Sequence, residues 1–339
     1  MGTSSDVGPR RLATIRGKGR ASVTDGSAGA TRTGERVSEL DRALRCGQFI
    51  VTAEVSPPVS TDPAEFVERA LPLRGAATAV NVTDGAGAKT HLSSLVAAHF
   101  LLQHGIEPIL QVTCRDRNRL ALQADLLGAV ALGIRNVLVL RGDEPRVGDQ
   151  PEARPVFDLA TTQVLAMAHG MRSERKLPSG TDIKGAVDLV LGAAETVVDP
   201  APDWQPAGLL AKAEAGADFV QTQFCMDVEV GRRYAARLLD LGIAQRLPIL
   251  IGVAPIPSAR SARWMRERLF GTMIPDAIVD RLERAADPKA EGKRICIEVI
   301  RQLARVPGIA GAHVMAPQFH SALAAVIMES GVAGAPRAS

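Results

Sequence analysis

The strongest constraint on the fold is a regular alternation, from about residue 48 onward, of short apolar segments with amphipathic segments of helical spacing. The eight apolar segments are FIVTAEV, AVNVT, PILQVT, NVLVL, VDLVLGA, DFVQTQF, PILIGVA and GAHVMA. Near-continuous apolar strands separated by helices are typical of a parallel sheet covered by helices. Eight such units in about 290 residues predict an α/β protein with a (β/α)8 TIM barrel fold.

A doubly wound parallel sheet would show the same alternation. Its dinucleotide-binding motif, GxGxxG directly after a strand, follows none of the eight segments, so the barrel is preferred. The segment RVSELDRALRCG predicts an extra helix before the first strand. Several later helices are predicted to end on glycine, the residue that best adopts the left-handed conformation there: Gly105, Gly133, Gly170, Gly216 and Gly242.

The chain is predicted to contain one domain. Residues 1–35 are rich in Gly, Ser, Thr and Arg and are predicted to be a disordered tail, residues 36–332 form the barrel, and 333–339 are a C-terminal tail. No apolar segment approaches the roughly 20 residues that cross a bilayer, and the N-terminus lacks the apolar region of a secretory signal. These features predict a cytoplasmic protein with no membrane association.

Composition excludes two classes of function. The formal net charge is only +3 and aromatic residues make up 3% of the chain, which argues against binding of nucleic acid. The four cysteines are scattered, without the spacing of metal ligands, and are predicted to be reduced thiols. We therefore predict no metal site.

Polar residues stand at the ends of most predicted strands. In a parallel barrel the carboxyl ends of the strands form the active site, so these residues are the candidates for chemistry. The fifth, seventh and eighth strands end instead in small or apolar residues, which are predicted to leave one wall open. The polar candidates are Glu54, Thr83, Asp84, Gln111, Thr113, Asp116, Arg141, Asp143, Gln221, Gln223 and Asp227.

Glu54 is the most unusual of these, because it interrupts an apolar strand in VTAEVSPP. Strand alternation places Thr52 and Glu54 on one face, which is predicted to be the barrel interior, and their apolar neighbours on the other. Burial favours the protonated form of a carboxyl group, which suits Glu54 to donate a proton. The alternative is a structural ion pair, for which Arg141 is the candidate partner.

Other charged residues have simpler interpretations. Asp116 and Asp227 are predicted to cap the helices that follow them. The arginines at 115, 117 and 119 either bind a phosphate or polyglutamate or form a solvated basic face. The six histidines show no pairing and are interpreted as structural.

Six segments, each at or beside a predicted strand end, carry a resemblance to a known family. VTAEVSPP, VNVTDGAG, QVTCRDRNR, LVLRGD, AKAEAGADFVQTQF and GVAPIPS occur in this order, and the chain from about residue 48 to 331 resembles the methylenetetrahydrofolate reductases. The resemblance implies an oxidoreductase that reduces 5,10-methylenetetrahydrofolate to 5-methyltetrahydrofolate with NADH or NADPH, on a flavin-containing barrel.

The resemblance also implies roles for individual residues. Glu54 matches the general acid that protonates the folate nitrogen leaving as the five-membered ring opens. Asp143, in LRGD, matches the anion between flavin and pterin, and Gln223 matches the amide that orients pterin and nicotinamide. The predicted cofactor site comprises the matched flavin contacts and their neighbours at the strand ends: Thr83, Asp84, Gln111, Arg141, Gly142, Ala193 and Lys212, with Lys212 placed to bind a phosphate.

Several positions depart from the family pattern. Asp84 stands where the family usually has tyrosine, Gln111 stands where it has histidine, and AAETVVDP lacks the elements that line the adenine end of the flavin. FAD is the implied cofactor, with FMN or direct hydride transfer without flavin as alternatives. Two other functions stay open: a folate- or flavin-binding subunit of a larger complex or homo-oligomer, and a corrinoid-linked pterin methyltransferase, whose Asn-rich pocket is not identified in the sequence.

Overall fold

The computed structural model describes residues 38–316 and 320–338, so the predicted tail over residues 1–35 lies outside the described residues. Eight parallel strands pair in chain order and close into a barrel, which confirms the predicted TIM barrel. The strands are β1 (Ile50–Val55), β2 (Ala79–Val82), β3 (Pro108–Thr113), β4 (Asn136–Leu140), β5 (Val190–Glu195), β6 (Phe219–Phe224), β7 (Ile249–Val253) and β8 (Gly311–Val314).

Helices follow the strands and cover the outside of the barrel. Within the described residues, none is long and apolar enough to cross a membrane. They are α1 (Glu39–Arg45), α2 (Pro63–Ala70), α3 (Ser94–Gln103), α4 (Arg119–Ala131), α5 (Thr161–Glu174), α6 (Ala207–Glu214), α7 (Val228–Asp240), α8 (Ala259–Arg268), α9 (Asp276–Arg284), α10 (Pro288–Leu303) and α11 (Leu323–Ser330).

Four of the five glycines predicted to end helices have the expected positive φ. The prediction for Gly170 is wrong, because α5 continues through it to Glu174 and ends at Arg175, whose φ is 54°. A helix interior tolerates one glycine at a cost of about 1 kcal/mol. The packing of the apolar face of α5, which includes the buried Val164, Leu165 and Met171, extends the helix beyond that point.

Strand alternation separates two hydrophobic clusters. The side chains of Val51, Ala53 and Val55 face outward and join the large core between the strands and the helices. The inward residues nearest the amino ends of the strands form a second cluster, the barrel floor: Ile50, Ala79, Ile109, Leu138, Val190, Phe219 and Leu250, with Leu40, Ala43 and Ala310 beside them. The floor is therefore apolar, and the polar inward residues lie above it.

Helix α1 closes the barrel at its amino-terminal end. Leu40 and Ala43 pack into the floor cluster. The carboxylate of Glu107 accepts hydrogen bonds from the backbone N–H groups of Glu39 at 2.7 Å and Leu40 at 2.9 Å, and from Asn136 at 2.9 Å. Burial raises the pKa of Glu107, although these hydrogen bonds act in the opposite direction. With this end covered, a ligand reaches the interior from the carboxyl ends of the strands.

The residues assigned in the sequence to a C-terminal tail lie against the chain entering β1. Phe49 donates to Ala335 O at 2.7 Å, Arg337 N donates to Gly47 O at 2.9 Å, and Gln48 and Pro336 form an antiparallel bridge. The described part of this segment is thus hydrogen-bonded beside the floor.

Leu40→Ala should destabilise the protein by about 2–5 kcal/mol, because the fully buried Leu40 side chain would leave a cavity between α1 and the floor. Leu120→Ala is the matched control, because Leu120 is 72% exposed on α4 and its truncation should cost less than about 0.5 kcal/mol. Urea unfolding of both variants measures the difference. Equal losses would mean that α1 does not contribute to the folded core.

Candidate active site

Glu54 projects into the barrel near its carboxyl end, as alternation predicts. Its side chain is 20% exposed. Gln111 Nε2 donates a hydrogen bond to Glu54 Oε2 at 2.7 Å, and His313 Nε2 lies 3.7 Å from the same oxygen. Gln111 was predicted to contact a cofactor; in the structure its amide instead holds Glu54. The suggested ion pair between Glu54 and Arg141 is not formed, because Arg141 pairs with Glu144 at 2.7 Å.

A layer of four buried polar side chains lies between Glu54 and the floor. Thr52, Asn81, Gln221 and His313 all point inward and are each at most 2% exposed. Gln221 bonds to Asn81 and Thr52, and Thr52 Oγ1 lies 2.9 Å from His313 Nδ1. We call these four residues the polar layer. It gives every one of them a partner inside a low-dielectric interior, where an unpaired polar group would be costly.

His313 is the residue that sequence reasoning missed. It was interpreted as structural together with the other histidines, although alternation in GAHVMA would have placed it inward. In the structure His313 pairs with Thr52 on β1 and with Gly252 on β7, and this pairing could not be read from the sequence. That register is set by closure of the barrel, which local sequence does not reveal.

Asp143 follows β4 at the rim of the barrel and is exposed. Its Oδ2 accepts a hydrogen bond from Gly87 N, in the loop after β2, at 2.9 Å. The preceding Gly142 has φ 85°, and a Cβ there would lie 3.1 Å from side-chain atoms of Thr113 and Arg115. Only glycine fits this turn without strain, and the turn brings Asp143 to the loop after β2.

Gln223 lies at the carboxyl end of β6, where the register with β7 shifts between Gln221 and Phe224. Its Oε1 accepts a hydrogen bond from Phe224 N at 3.0 Å. Glu54, Asp143 and Gln223 therefore stand at the carboxyl ends of three different strands, on one end of the barrel. We call these three residues the candidate triad.

Asp84 belongs to an ion-pair network rather than to an open pocket. It accepts hydrogen bonds from Arg117 Nη1 at 2.6 Å, Thr113 N at 2.8 Å and Ser94 Oγ at 3.2 Å. Burial acts to raise the pKa of Asp84, but the Arg117 guanidinium and the Thr113 donors outweigh it, so the pKa is lowered. Asp84 was predicted to contact a cofactor; in the structure its oxygens accept from Arg117, Thr113 and Ser94.

The predicted basic group at 115, 117 and 119 is fully paired. Arg115 pairs with Asp116 at 2.7 Å and Arg119 with Asp158 at 2.9 Å, while Arg117 also binds Asp125. Each arginine of this group therefore already has a carboxylate partner among the described residues. The predicted cap at Asp116 is wrong because Asn118 caps α4. The cap at Asp227 is confirmed, because its side chain accepts from the first backbone N–H groups of α7.

Within residues 38–316 and 320–338, no group of three or more His, Cys, Asp or Glu side chains is placed to hold a metal ion. The cysteines form no disulfide there. Cys114, Cys225 and Cys296 are buried, and burial raises the pKa of Cys225 to about 12. These thiols are therefore structural at neutral pH.

The fold and the site define a class: a (β/α)8 barrel with a covered floor and a polar site at the carboxyl ends of its strands. The family model described as methylenetetrahydrofolate reductase matches residues 39–331. The chain belongs to the methylenetetrahydrofolate reductase family.

Individual relatives agree with this assignment. The chain is 30% identical over 221 residues to the "Probable methylenetetrahydrofolate reductase (NADPH)" of Caenorhabditis elegans, an alignment that covers 63% of this chain and 31% of the relative. It is 24% identical over 308 residues to the "Methylenetetrahydrofolate reductase (NADH) 1" of Arabidopsis thaliana, covering 87% and 50%. The chain thus spans a third to a half of the length of these relatives, whose names differ in the nicotinamide.

A solved structure with a similar fold illustrates the architecture. It is an "Uncharacterized protein from Clostridium thermocellum" that "binds two copies of 5-methyl-5,6,7,8-tetrahydrofolic acid". The TM-score is 0.61 at 13% sequence identity, and the match covers 86% of this chain and 98% of that one. At this identity the likeness establishes the barrel architecture alone.

Family membership implies a flavin and a nicotinamide, and the predicted flavin contacts fit a flavin only at one end. Thr83 Oγ1 is buried with no hydrogen-bond partner in the part of the chain that the structure describes, and Gly142 allows close approach of the backbone. Both suit a flat ring at the mouth of the barrel. Arg141 lies over the ring of Phe157, 4.2 Å from its centroid.

The phosphate end does not fit. Lys212 Nζ, the predicted phosphate ligand, donates to Glu195 Oε2 at 2.7 Å and to Ala194 O at 2.8 Å, so a carboxylate already neutralises its charge. The side chain of Ala193, also predicted to contact the cofactor, faces outward into the core and is fully buried, so only its backbone is left for such a contact. Within residues 38–316 and 320–338, the predicted phosphate ligand Lys212 is therefore already paired and does not fit the role of a free phosphate ligand.

Asp84→Asn should lower the free energy of unfolding by about 2–3 kcal/mol at pH 7, because the half-buried Arg117 keeps only Asp125 as an ionic partner. The folded-state pKa of Asp84 is lowered from 3.8, so its contribution is complete above that value and is lost as the pH falls through the folded-state pKa. The stability difference should therefore start to narrow below about pH 4, and the two proteins should converge only below the folded-state pKa of Asp84.

Urea unfolding at neutral pH and at about pH 3 measures this convergence. Asp149→Asn is the control, because Asp149 is exposed in the loop after β4. A stability difference independent of pH would show that the Asp84 carboxylate contributes through shape rather than charge.

Proposed function

We propose that this chain reduces 5,10-methylenetetrahydrofolate to 5-methyltetrahydrofolate, with a hydride that comes from NADH or NADPH. The observation that carries the proposal is Glu54, an inward carboxyl group held by Gln111 at the same barrel end as Asp143 and Gln223. Family membership supports the substrate and the reaction class.

In the proposed reaction Glu54 gives its proton to the folate nitrogen that leaves the five-membered ring. The bond between that nitrogen and the methylene carbon breaks, and its electron pair stays on the nitrogen. The methylene carbon remains attached to the other nitrogen as a cationic iminium. Hydride then adds to this carbon and gives the methyl group, so one proton and one hydride account for the two hydrogens gained.

Asp143 and Gln223 have complementary roles in this scheme. A carboxylate at the rim stabilises the positive charge of the iminium as it develops, and does so without reorganisation because Gly87 N already orients it. The carbonyl oxygen of Gln223 is taken by Phe224 N, so its amide nitrogen is the group available to hold the pterin or the nicotinamide.

Two routes for the hydride are compatible with these roles. The family implies a relay through flavin, with FAD as the expected form. The second candidate is direct transfer from the nicotinamide to the folate, and the pairing of Lys212 with Glu195 favours it, because the predicted phosphate ligand of a bound flavin is already occupied. A folate-binding subunit without independent activity is the remaining alternative.

Glu54→Gln should lower kcat for folate reduction by about 10²–10⁴-fold, because the amide cannot donate an acidic proton. KM for the folate should change little, since the two side chains have the same shape. Oxidation of NADH or NADPH in the presence of methylenetetrahydrofolate gives the rate. Glu65→Gln is the matched control, since Glu65 lies on the surface of α2 beside Arg69.

Turnover in Glu54→Gln within threefold of the unmodified chain would remove Glu54 from the proposed role. Folate binding by calorimetry, with no turnover in the unmodified chain until a partner is added, would instead support the binding subunit.

The absorption spectrum of the purified protein distinguishes the two hydride routes. Because Lys212 is neutralised by Glu195, we expect no stoichiometric flavin bands and folate reduction without added flavin. FAD or FMN released in equimolar amount on denaturation would contradict direct transfer and support the relay. Adding FAD to the flavin-free protein is the control, and it should leave the rate unchanged.

A further inference from the structure

Hydrogen bonds link Asn81, Gln221, Thr52 and His313 of the polar layer, and His313 in turn faces Glu54. Asn81 Nδ2 donates to Gln221 Oε1 at 2.7 Å, and Gln221 Nε2 donates back to Asn81 Oδ1 at 3.1 Å. The second N–H of Gln221 donates to Thr52 Oγ1 at 2.9 Å. One N–H of Gln221 thus returns to Asn81, and the other is directed to Thr52.

The hydrogen bond from Gln221 bears on where the Thr52 hydroxyl donates its hydrogen. One lone pair of the Thr52 oxygen accepts from Gln221, and the Thr52 hydroxyl can donate its hydrogen to His313 Nδ1, which lies 2.9 Å away. Gln221 Nε2, a second donor, lies 3.4 Å from the same nitrogen, so the surroundings of Nδ1 favour an acceptor there. A neutral imidazole that accepts at Nδ1 carries its proton on Nε2. Nε2 is the nitrogen that faces Glu54 Oε2.

The electrostatics of Glu54 agree with this tautomer. With Nε2 protonated, an N–H dipole faces a carboxylate oxygen at 3.7 Å, a favourable contact that is longer than a hydrogen bond. The opposite tautomer would turn a nitrogen lone pair towards Oε2, so that two acceptors would face each other in a buried environment. Contacts of this kind commonly tighten when substrate binds.

We infer that His313 is a positioning residue for Glu54: the polar layer holds its Nε2–H towards Oε2, and Gln111 Nε2 binds the same oxygen. Two N–H groups on Oε2 leave Oε1 as the oxygen that carries the acidic proton. When that proton leaves, both N–H groups stabilise the carboxylate that forms. The inference rests on the proposed function of Glu54 and goes beyond it by assigning the proton to one oxygen.

The tautomer is measured without substrate, so this test stands apart from the reductase activity. In protein labelled with ¹⁵N at histidine, the His313 signal is the one absent from His313→Gln. We expect the chemical shifts of an Nε2–H tautomer, and a changed tautomer balance in Thr52→Val, which removes the hydroxyl donor but keeps the side-chain shape. An Nδ1–H tautomer in the unmodified protein would overturn the inference whether or not the chain reduces folate.

Two substitutions of His313 distinguish a role in positioning Glu54 from a purely structural role. Glutamine places an amide N–H near the position of Nε2, whereas asparagine keeps an acceptor near the position of Nδ1 for Thr52. If His313 positions Glu54, His313→Gln should retain kcat within about threefold, and His313→Asn should lower kcat at least about tenfold with little change in KM. A merely structural role, holding Thr52, predicts the reverse order.

Thermal unfolding and folate binding of both variants accompany the kinetics. Comparable melting temperatures and comparable folate affinity with different kcat support the inference. Equal kcat in the two variants, or a lower kcat for His313→Gln, would overturn it. Absence of folate reduction in the unmodified chain would count against the proposed reaction alone, because the tautomer measurement would still decide the contact with Glu54.

Discussion

The closing seam between β8 and β1 is the contact on which the rest of the site depends. It pairs Ile50 with Gly311 and Thr52 with His313. A Cβ on residue 311 would lie 2.1 Å from the carbonyl oxygen of Ile50, so the two strands approach closely only because that residue is glycine. This seam places His313 beside Thr52, although 261 positions separate them in the chain. Without it, Glu54 would lack its neighbour on one side.

Closure also gives the barrel two unlike ends. One end is apolar and is covered by α1, whereas the other carries the polar ends of the strands. Between them the polar layer satisfies its own hydrogen bonds, so it rigidifies the interior. The candidate triad lies at the open end, where its two carboxyl groups and one amide stand at the ends of separate strands.

Most charges around that open end are committed to one another. Asp84, Arg115, Arg119 and Lys212 all have ionic partners within the protein. Such pairs hold the loops in place, but they reduce the number of groups that can bind a ligand. The hydrogen bonds of the candidate triad are of another kind, since they come from the Gln111 amide and from the backbone N–H groups of Gly87 and Phe224.

The sequence by itself determined the barrel, the inward direction of Glu54 and the cap at Asp227, because these follow from periodicity and from contacts a few residues apart. Gly170 and Asp116 show the limit of such reasoning, since packing extended one helix and a neighbouring residue capped another. Only the tertiary structure decided that Gln111 and His313 lie beside Glu54, that Asp84 and Lys212 are paired with opposite charges, and that Ala193 faces the core. Those outcomes depend on strand register and barrel closure, which bring together residues whose separation in sequence carries no local signal.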